Sequence, residues 1–240
     1  MWFMGSDGIS LSASNPPAII STLDSSWQFK GYGNFYGSAR KDCILWQNSN
    51  DGVLAIWRMD GTKISATASL PIVSAEWQII AVADLAGDSV DDIVWQQVNT
   101  GQLLIWFMKD GESIKSTSLV TYGGNEVIVD GSWQIRGAYT FDGDAMADML
   151  WQNTTTGEVV MWIMNGATIT TVSPVTHNGT PMRIGPSWLY RGWGYFDADN
   201  KADILWHNPD NGIVVIWNMN GSSISSVAIP GVVGGEWSIQ

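Results

Sequence analysis

Three short acidic runs carry the residue types with the most evident chemistry: Asp84, Asp88 and Asp92; Asp142, Asp144 and Asp148; and Asp197, Asp199 and Asp203. In full form such a loop sets carboxylates at its first, third, fifth and ninth positions with a backbone carbonyl at the seventh. That alternate spacing turns oxygen ligands toward one point and suits a hard cation such as calcium. Each copy lacks one ligand, because Ala86 stands third in the first run while Thr140 and Tyr195 stand first in the other two. A fourth run, Asn34, Tyr36, Ser38 and Asp42, is poorer still. The competing role is structural, the last Asp capping its loop by accepting backbone N–H groups. Calcium in at least one of the three better loops is the expectation.

A second constellation pairs an indole with an amide or imidazole: Trp46 with Gln47, Trp95 with Gln96, Trp151 with Gln152, and Trp206 with His207. Aromatic faces stack on the apolar face of a sugar while amides bond its hydroxyls, so these residues are candidate carbohydrate contacts. Adjacent residues of a strand face opposite ways, however, and a Trp repeated at one position also serves packing between sheets. Catalysis finds little footing. His177 and His207 are the two histidines, they fall in different repeats, and no nucleophile-elbow, zinc-protease or phosphate-loop pattern occurs. Acidic pairs such as Asp142 with Asp144 read as cation ligands or turn residues rather than as acid and base, and the chain is expected not to be an enzyme.

The elements that must position these residues recur along the whole chain. Trp-x-Met occurs at Trp2, Trp57, Trp106, Trp162 and Trp217, each followed within three residues of the Met by Gly and then by a Ser/Thr-rich strand. Trp27, Trp77, Trp133, Trp188 and Trp237 open strands with small residues in their middles, such as Gly31, Ala81, Gly137 and Gly192. Asp-apolar-apolar-Trp occurs at Asp92, Asp148 and Asp203, and at Asp42 with one extra residue; this reading sets Cys43 beside Ile93, Met149 and Ile204, as a packed apolar thiol. Period-two alternation between Gly, Asn and Thr turns marks each segment as a strand. Trp-x-Met recurs at spacings of 55, 49, 56 and 55, with four strands to a period and no helical periodicity.

A four-stranded sheet cannot bury either face alone, so the sheets must stack about an axis as a β-propeller of four-stranded antiparallel blades. The Trp27-type strand is expected innermost, followed outward by the Asp-x-x-Trp, Trp-x-Met and Ser/Thr-rich strands. One repeat domain spans 1–240, with blades at about 27–76, 77–132, 133–187 and 188–234. Residues 1–26 and 235–240 would supply an incomplete fifth, giving about five blade positions. Unpaired edges there invite another chain, so a homo-oligomer or a protein partner is an alternative to sugar binding.

Composition narrows the classes. Charged residues are only 14% against 45% hydrophobic, and of 15 Trp only Trp193 stands outside the repeat positions. A net charge of −12, with eleven scattered Lys and Arg, argues against nucleic acid and against anionic membrane surfaces. No apolar run approaches a membrane span, and the first residues, MWFMGSDG, show no signal peptide.

The motifs Asp-apolar-apolar-Trp-x-Asn, Thr-Gly-x-Val, Ile-Trp-x-Met-Asn-Gly and Trp-Gln-Ile, with the degenerate Asp-x-Asp-x-Asp loop, resemble the FG-GAP and VCBS class of repeats over essentially the whole chain. That resemblance implies a β-propeller, calcium in the loop joining the first two strands of a blade, and an extracellular or cell-surface setting. It also implies adhesion or ligand recognition, as in integrin heads and some lectins, or service as an accessory domain of a secreted hydrolase.

Overall fold

The computed structural model describes residues 23–38 and 40–234, and among them every regular element is a strand. The first blade is β1 (Trp27–Gly33), β2 (Cys43–Asn48), β3 (Leu54–Asp60) and β4 (Lys63–Leu70). The second is β5 (Trp77–Ala83), β6 (Asp92–Gln97), β7 (Leu103–Asp110) and β8 (Ser113–Leu119). A short hairpin, β9 (Thr121–Tyr122) and β10 (Asn125–Glu126), precedes the third blade: β11 (Trp133–Tyr139), β12 (Asp148–Asn153), β13 (Val159–Asn165) and β14 (Thr168–Pro174). A second hairpin, β15 (Thr176–His177) and β16 (Thr180–Pro181), precedes the fourth: β17 (Leu189–Gly194), β18 (Asp203–Asn208), β19 (Ile213–Asn220) and β20 (Ser223–Val232).

Within each blade the strands lie in sequence order and pair antiparallel, as the repeat pattern requires. Each hairpin pairs parallel with the outermost strand of the blade that follows, β9 on β14 and β15 on β20, which widens those two sheets to six strands and covers their outer edges. Among the connections between described blades, the one without such a hairpin, between β4 and β5, falls in the 49-residue spacing.

The expectation of about five blade positions is corrected to four. A blade needs the second strand to join the first to the third, and the Asp-x-x-Trp segment that forms it occurs four times, giving β2, β6, β12 and β18. The fifth copies of the other landmarks, Trp2 to Met4 and Trp237, lie outside the described residues.

Strand parity distributes the core. On β12, Met149 and Trp151 pack toward blade 2 with Leu85, Val94 and Ile105, while Leu150 between them packs toward blade 4 with Ile204, Trp206 and Trp217. A third cluster fills the junction of blades 1 and 2, joining Leu45, Leu54 and Ile56 to Ile93, Trp95 and Trp106. Blades 2 and 3 therefore bury both faces, with one core at each of the three junctions between successive blades. A fully buried side chain of this size contributes about 2–3 kcal/mol.

Register also moves one residue. Cys43 pairs with Gly33 as Asp92, Asp148 and Asp203 pair with Ala83, Tyr139 and Gly194. It therefore replaces the last aspartate of the loop rather than matching Ile93, Met149 and Ile204, because the extra residue of the first repeat precedes the strand instead of lying within it.

Candidate functional site

The inner strands set the geometry at both ends of the blades. Each carries a bulge at its small residue, between Phe29 and Gly31, Ile79 and Ala81, Ile135 and Gly137, and Tyr190 and Gly192. A bulge re-aims the residues beyond it. The Trp27-type residues and the β2–β3 turns occupy one end; the acidic β1–β2 loops occupy the other.

At the first end, two pockets of the same build lie at successive junctions. One, of about 350 Å³, is lined by Gln47, Asn48, Gly52, Val73, Trp77 and Gln78, with Lys30 and Asp51. The other, of about 410 Å³, is lined by the corresponding Gln96, Gly101, Val129, Trp133 and Gln134, with Asn99 and Asp130. Gln78 lines both, as a wall between them. Volume and mixed lining suit a small polar ligand. The floor is built by the Thr-Gly turn: Gly101 has φ of +76°, and a Cβ there would overlap the carbonyl oxygen of Val129. That linker donates the N–H of Val129 to the carbonyl of Gly101 at 2.9 Å, and Gln96 donates Nε2–H to the carbonyl of Val129 at 3.3 Å.

The tryptophans and amides of the sequence reading separate here. Trp95, Trp151 and Trp206 are at most 1% exposed and pair inside their blades with Trp106, Trp162 and Trp217 at centroid distances of 4.9, 4.9 and 5.4 Å. Trp46 pairs likewise with Trp57 at 5.3 Å. The rings of Trp95, Trp151 and Trp206 present no free face to a sugar, whereas Trp46 is half-buried. Gln47 and Gln96 do reach pockets, whereas Gln152 is buried, accepting from Arg136 Nε at 2.7 Å, and His207 is buried with neither ring nitrogen bonded. The wall residues that the sequence reading missed are the half-buried Trp77 and Trp133 and the exposed Gln78 and Gln134. Their signal was the Trp-Gln that opens β1, β5 and β11.

At the opposite end the nine predicted metal residues divide by position. Asp92, Asp148 and Asp203 are fully buried, and each carboxylate accepts three backbone N–H groups. For Asp148 the donors are Phe141 (3.1 Å), Asp142 (3.3 Å) and Met164 (3.0 Å), and the corresponding donors serve Asp92 and Asp203. Burial pushes Asp92 and Asp148 up to about 7 against the downward pull of those donors. Asp84 closes its own loop by accepting from Gly87, Asp88 and Ser89, and Asp88 pairs with Lys115 at 3.0 Å. Asp142 accepts from Asp144 N–H, and Asp144 from Met146 N–H.

Among the described residues, the carboxylates of Asp197, Asp199 and Asp203 form the one acidic group whose oxygens all lie within 4.8 Å of one another. Asp199 beside it raises the Asp197 carboxyl above its ordinary value. Three converging carboxylates fit a hard cation; Asp197 and Asp199 also accept turn N–H groups, from Asp199 at 3.2 Å and Lys201 at 2.9 Å, as Asp142 and Asp144 do in blade 3, so convergence alone sets this loop apart.

No family model matches this chain, and no curated protein matches it. Solved structures do. An Agrocybe aegerita lectin, described as recognising non-reducing terminal N-acetylglucosamine, aligns over 86% of this chain and 54% of its own at 15% identity and a TM-score of 0.60. A Bacteroides caccae protein of unknown function aligns over 87% and 63% at 14% identity, TM-score 0.46. A Staphylococcus aureus virginiamycin B lyase aligns over 87% and 60% at 8% identity, TM-score 0.45. The chain thus spans between about half and two thirds of the length of these proteins. Its successive antiparallel blades are those of a β-propeller, and the likeness to the Agrocybe lectin agrees with that fold.

Proposed function

We propose that this propeller is a non-enzymatic recognition module of the FG-GAP and VCBS type that binds carbohydrate at its blade junctions. The observation that carries the reading is the recurrence of one pocket, with amide, indole and turn glycine in corresponding places, at two successive junctions. Equivalent sites on successive packed blades gain avidity for a multivalent ligand. The pocket-lining amides of Gln47 and Gln78 supply donors and acceptors for hydroxyls, and Trp77 supplies the apolar wall. Calcium in the loop of Asp197, Asp199 and Asp203 would brace that loop through electrostatic attraction. An extracellular or surface setting belongs to the same reading, as does the absence of nucleic-acid and membrane partners at a net charge of −12. The histidines support a role outside catalysis, since His207 is buried within β18 and His177 lies in the β15–β16 hairpin.

The similar fold of the Agrocybe lectin makes terminal N-acetylglucosamine the first probe. The test is binding to an array of immobilised glycans, with free N-acetylglucosamine as competitor and Gln78→Ala as variant. Signal that free sugar abolishes, and that Gln78→Ala lowers about tenfold by weakening both pockets, is the expected result. An array that stays blank, or binding untouched by Gln78→Ala, would remove the junction pockets from consideration.

A further inference from the structure

At the end of the blades opposite the junction pockets, all four blades converge on a cavity of about 190 Å³. Blade 1 contributes Lys41, blade 2 Asp84 and Asp91, blade 3 Tyr139, and blade 4 Trp193 and Tyr195, while alanines form much of the remaining lining. Trp193 stacks on Tyr139 with centroids 4.2 Å apart and planes at 32°, and Tyr195 meets Trp193 at 5.4 Å and 89°. Two aromatic walls therefore stand at right angles, and Tyr195, 54% exposed, forms the rim.

The repeat does not call for these rings. Trp193 follows the bulge of β17 where the other inner strands carry Tyr32, Val82 and Ala138, and Tyr195 opens its loop where Asn34, Asp84 and Thr140 open theirs. Trp193 is also the tryptophan that falls outside every repeat position. Blades 2 and 3 manage with valine, aspartate, alanine and threonine at these two positions; Tyr139 and Trp193 also pack at the junction of blades 3 and 4, but Tyr195 stands exposed over the cavity.

The charges define the ligand. Lys41 Nζ lies 3.2 Å from Asp91 Oδ2, so these two offset one another, and Asp84 leaves the cavity with one net negative charge. Yet the acceptors are already engaged: Asp84 takes three backbone N–H groups, and Asp91 takes the N–H of Asn34 at 2.7 Å besides Lys41. A sugar hydroxyl or a primary ammonium needs free acceptors at close range. A quaternary ammonium has no N–H, and it asks only for π faces and a negative field.

We propose that the cavity walled by Tyr139, Trp193 and Tyr195 is an aromatic cage for a quaternary ammonium group. It is separate from the junction pockets and does not depend on the carbohydrate reading. The experiment is calorimetric titration of the full chain with choline and, in parallel, with its uncharged isostere 3,3-dimethylbutan-1-ol. Choline is expected to bind saturably, the isostere at least about tenfold more weakly, and Tyr195→Ala to weaken choline about tenfold. Tyr195 is half exposed, so this variant keeps the fold, which an unchanged circular dichroism spectrum verifies. Gln78→Ala is expected to leave choline binding as it was, and N-acetylglucosamine not to displace it. No saturable heat up to about 10 mM choline, equal binding of the isostere, full affinity in Tyr195→Ala, or displacement by the sugar would each overturn the proposal.

Discussion

Asp148 Oδ1 accepts the backbone N–H of Met164 at 3.0 Å, tying the two strongest landmarks of the repeat, Asp-x-x-Trp and Trp-x-Met, across β12 and β13. The same bond joins Asp92 to Met108 and Asp203 to Met219, each at 2.9 Å. In blade 1, where Cys43 takes the aspartate's place, the backbone carbonyl of Asp42 accepts from Met59 N–H at 2.7 Å instead. The donor is constant and the acceptor is replaceable. What the repeat conserves within itself is the satisfaction of a buried N–H, a group that is costly to leave unpaired.

Replacing Asp148 by Asn tests that account. The amide keeps the shape but turns an NH2 toward backbone donors, leaving at least one buried N–H without an acceptor. The expected cost is about 2–4 kcal/mol, read as a lower urea midpoint at constant slope. A midpoint equal to the wild type's would mean the carboxylate only fills space.

The same carboxylates give a pH dependence of definite sign. Burial raises Asp92 and Asp148 to about 7 from an ordinary 3.8, so in that interval the folded chain holds more protons than the unfolded one. Their contribution is fully present below about 4 and is lost as pH rises through about 7. Urea midpoints should therefore be higher at about pH 5 than at about pH 8, and Asp148→Asn should flatten the difference. An opposite slope would show that the backbone donors outweigh burial.

Strand order, blade repetition and the opposite facing of Trp151 and Gln152 were legible in the sequence, because alternation and spacing are local and each blade reads the same text. Which loop holds converging carboxylates was not. Asp84 and Asp197 sit in similar strings, and only the fold shows that Asp84 is consumed by its own turn while Asp197 faces Asp199 and Asp203. The place of Cys43 depended on whether the extra residue lay before the strand or within it, a matter of register. The convergence of Tyr139 and Trp193 joins two blades and leaves no mark at short range.

Cys43 should be chemically silent in the native chain. It is 1% exposed, and burial pushes its thiol up to about 11, so almost no thiolate exists at neutral pH. Reaction with a disulfide reagent is expected to release less than about one tenth of the stoichiometric signal until denaturant is added. Full reaction at native rates would show that the first blade opens readily.

Gly101→Ala probes the pocket floor. The position needs a left-handed φ, and an added Cβ would meet the carbonyl of Val129, a residue whose backbone is held by two hydrogen bonds, one through its N–H and one through its carbonyl. A loss of about 2–4 kcal/mol is expected, together with weaker glycan binding at that junction. Gly61→Ala, at φ of +60° with open space around it, should lose only about 1 kcal/mol, from backbone strain alone. Equal losses at the two positions would mean that the overlap with Val129 contributes nothing.

The calcium reading singles out one loop. Saturating calcium should raise the thermal midpoint by about 5 °C or more if the ion binds the folded chain selectively. Asp199→Asn should abolish the rise, since it removes one of three converging carboxylates, whereas Asp144→Asn should keep it. Protons compete for the same oxygens. Because Asp199 raises the Asp197 carboxyl, the calcium effect should be smaller at about pH 5 than at about pH 7.5. A rise that survives Asp199→Asn would move the ion to another site, and no rise in either pH range would leave the three aspartates as turn residues alone.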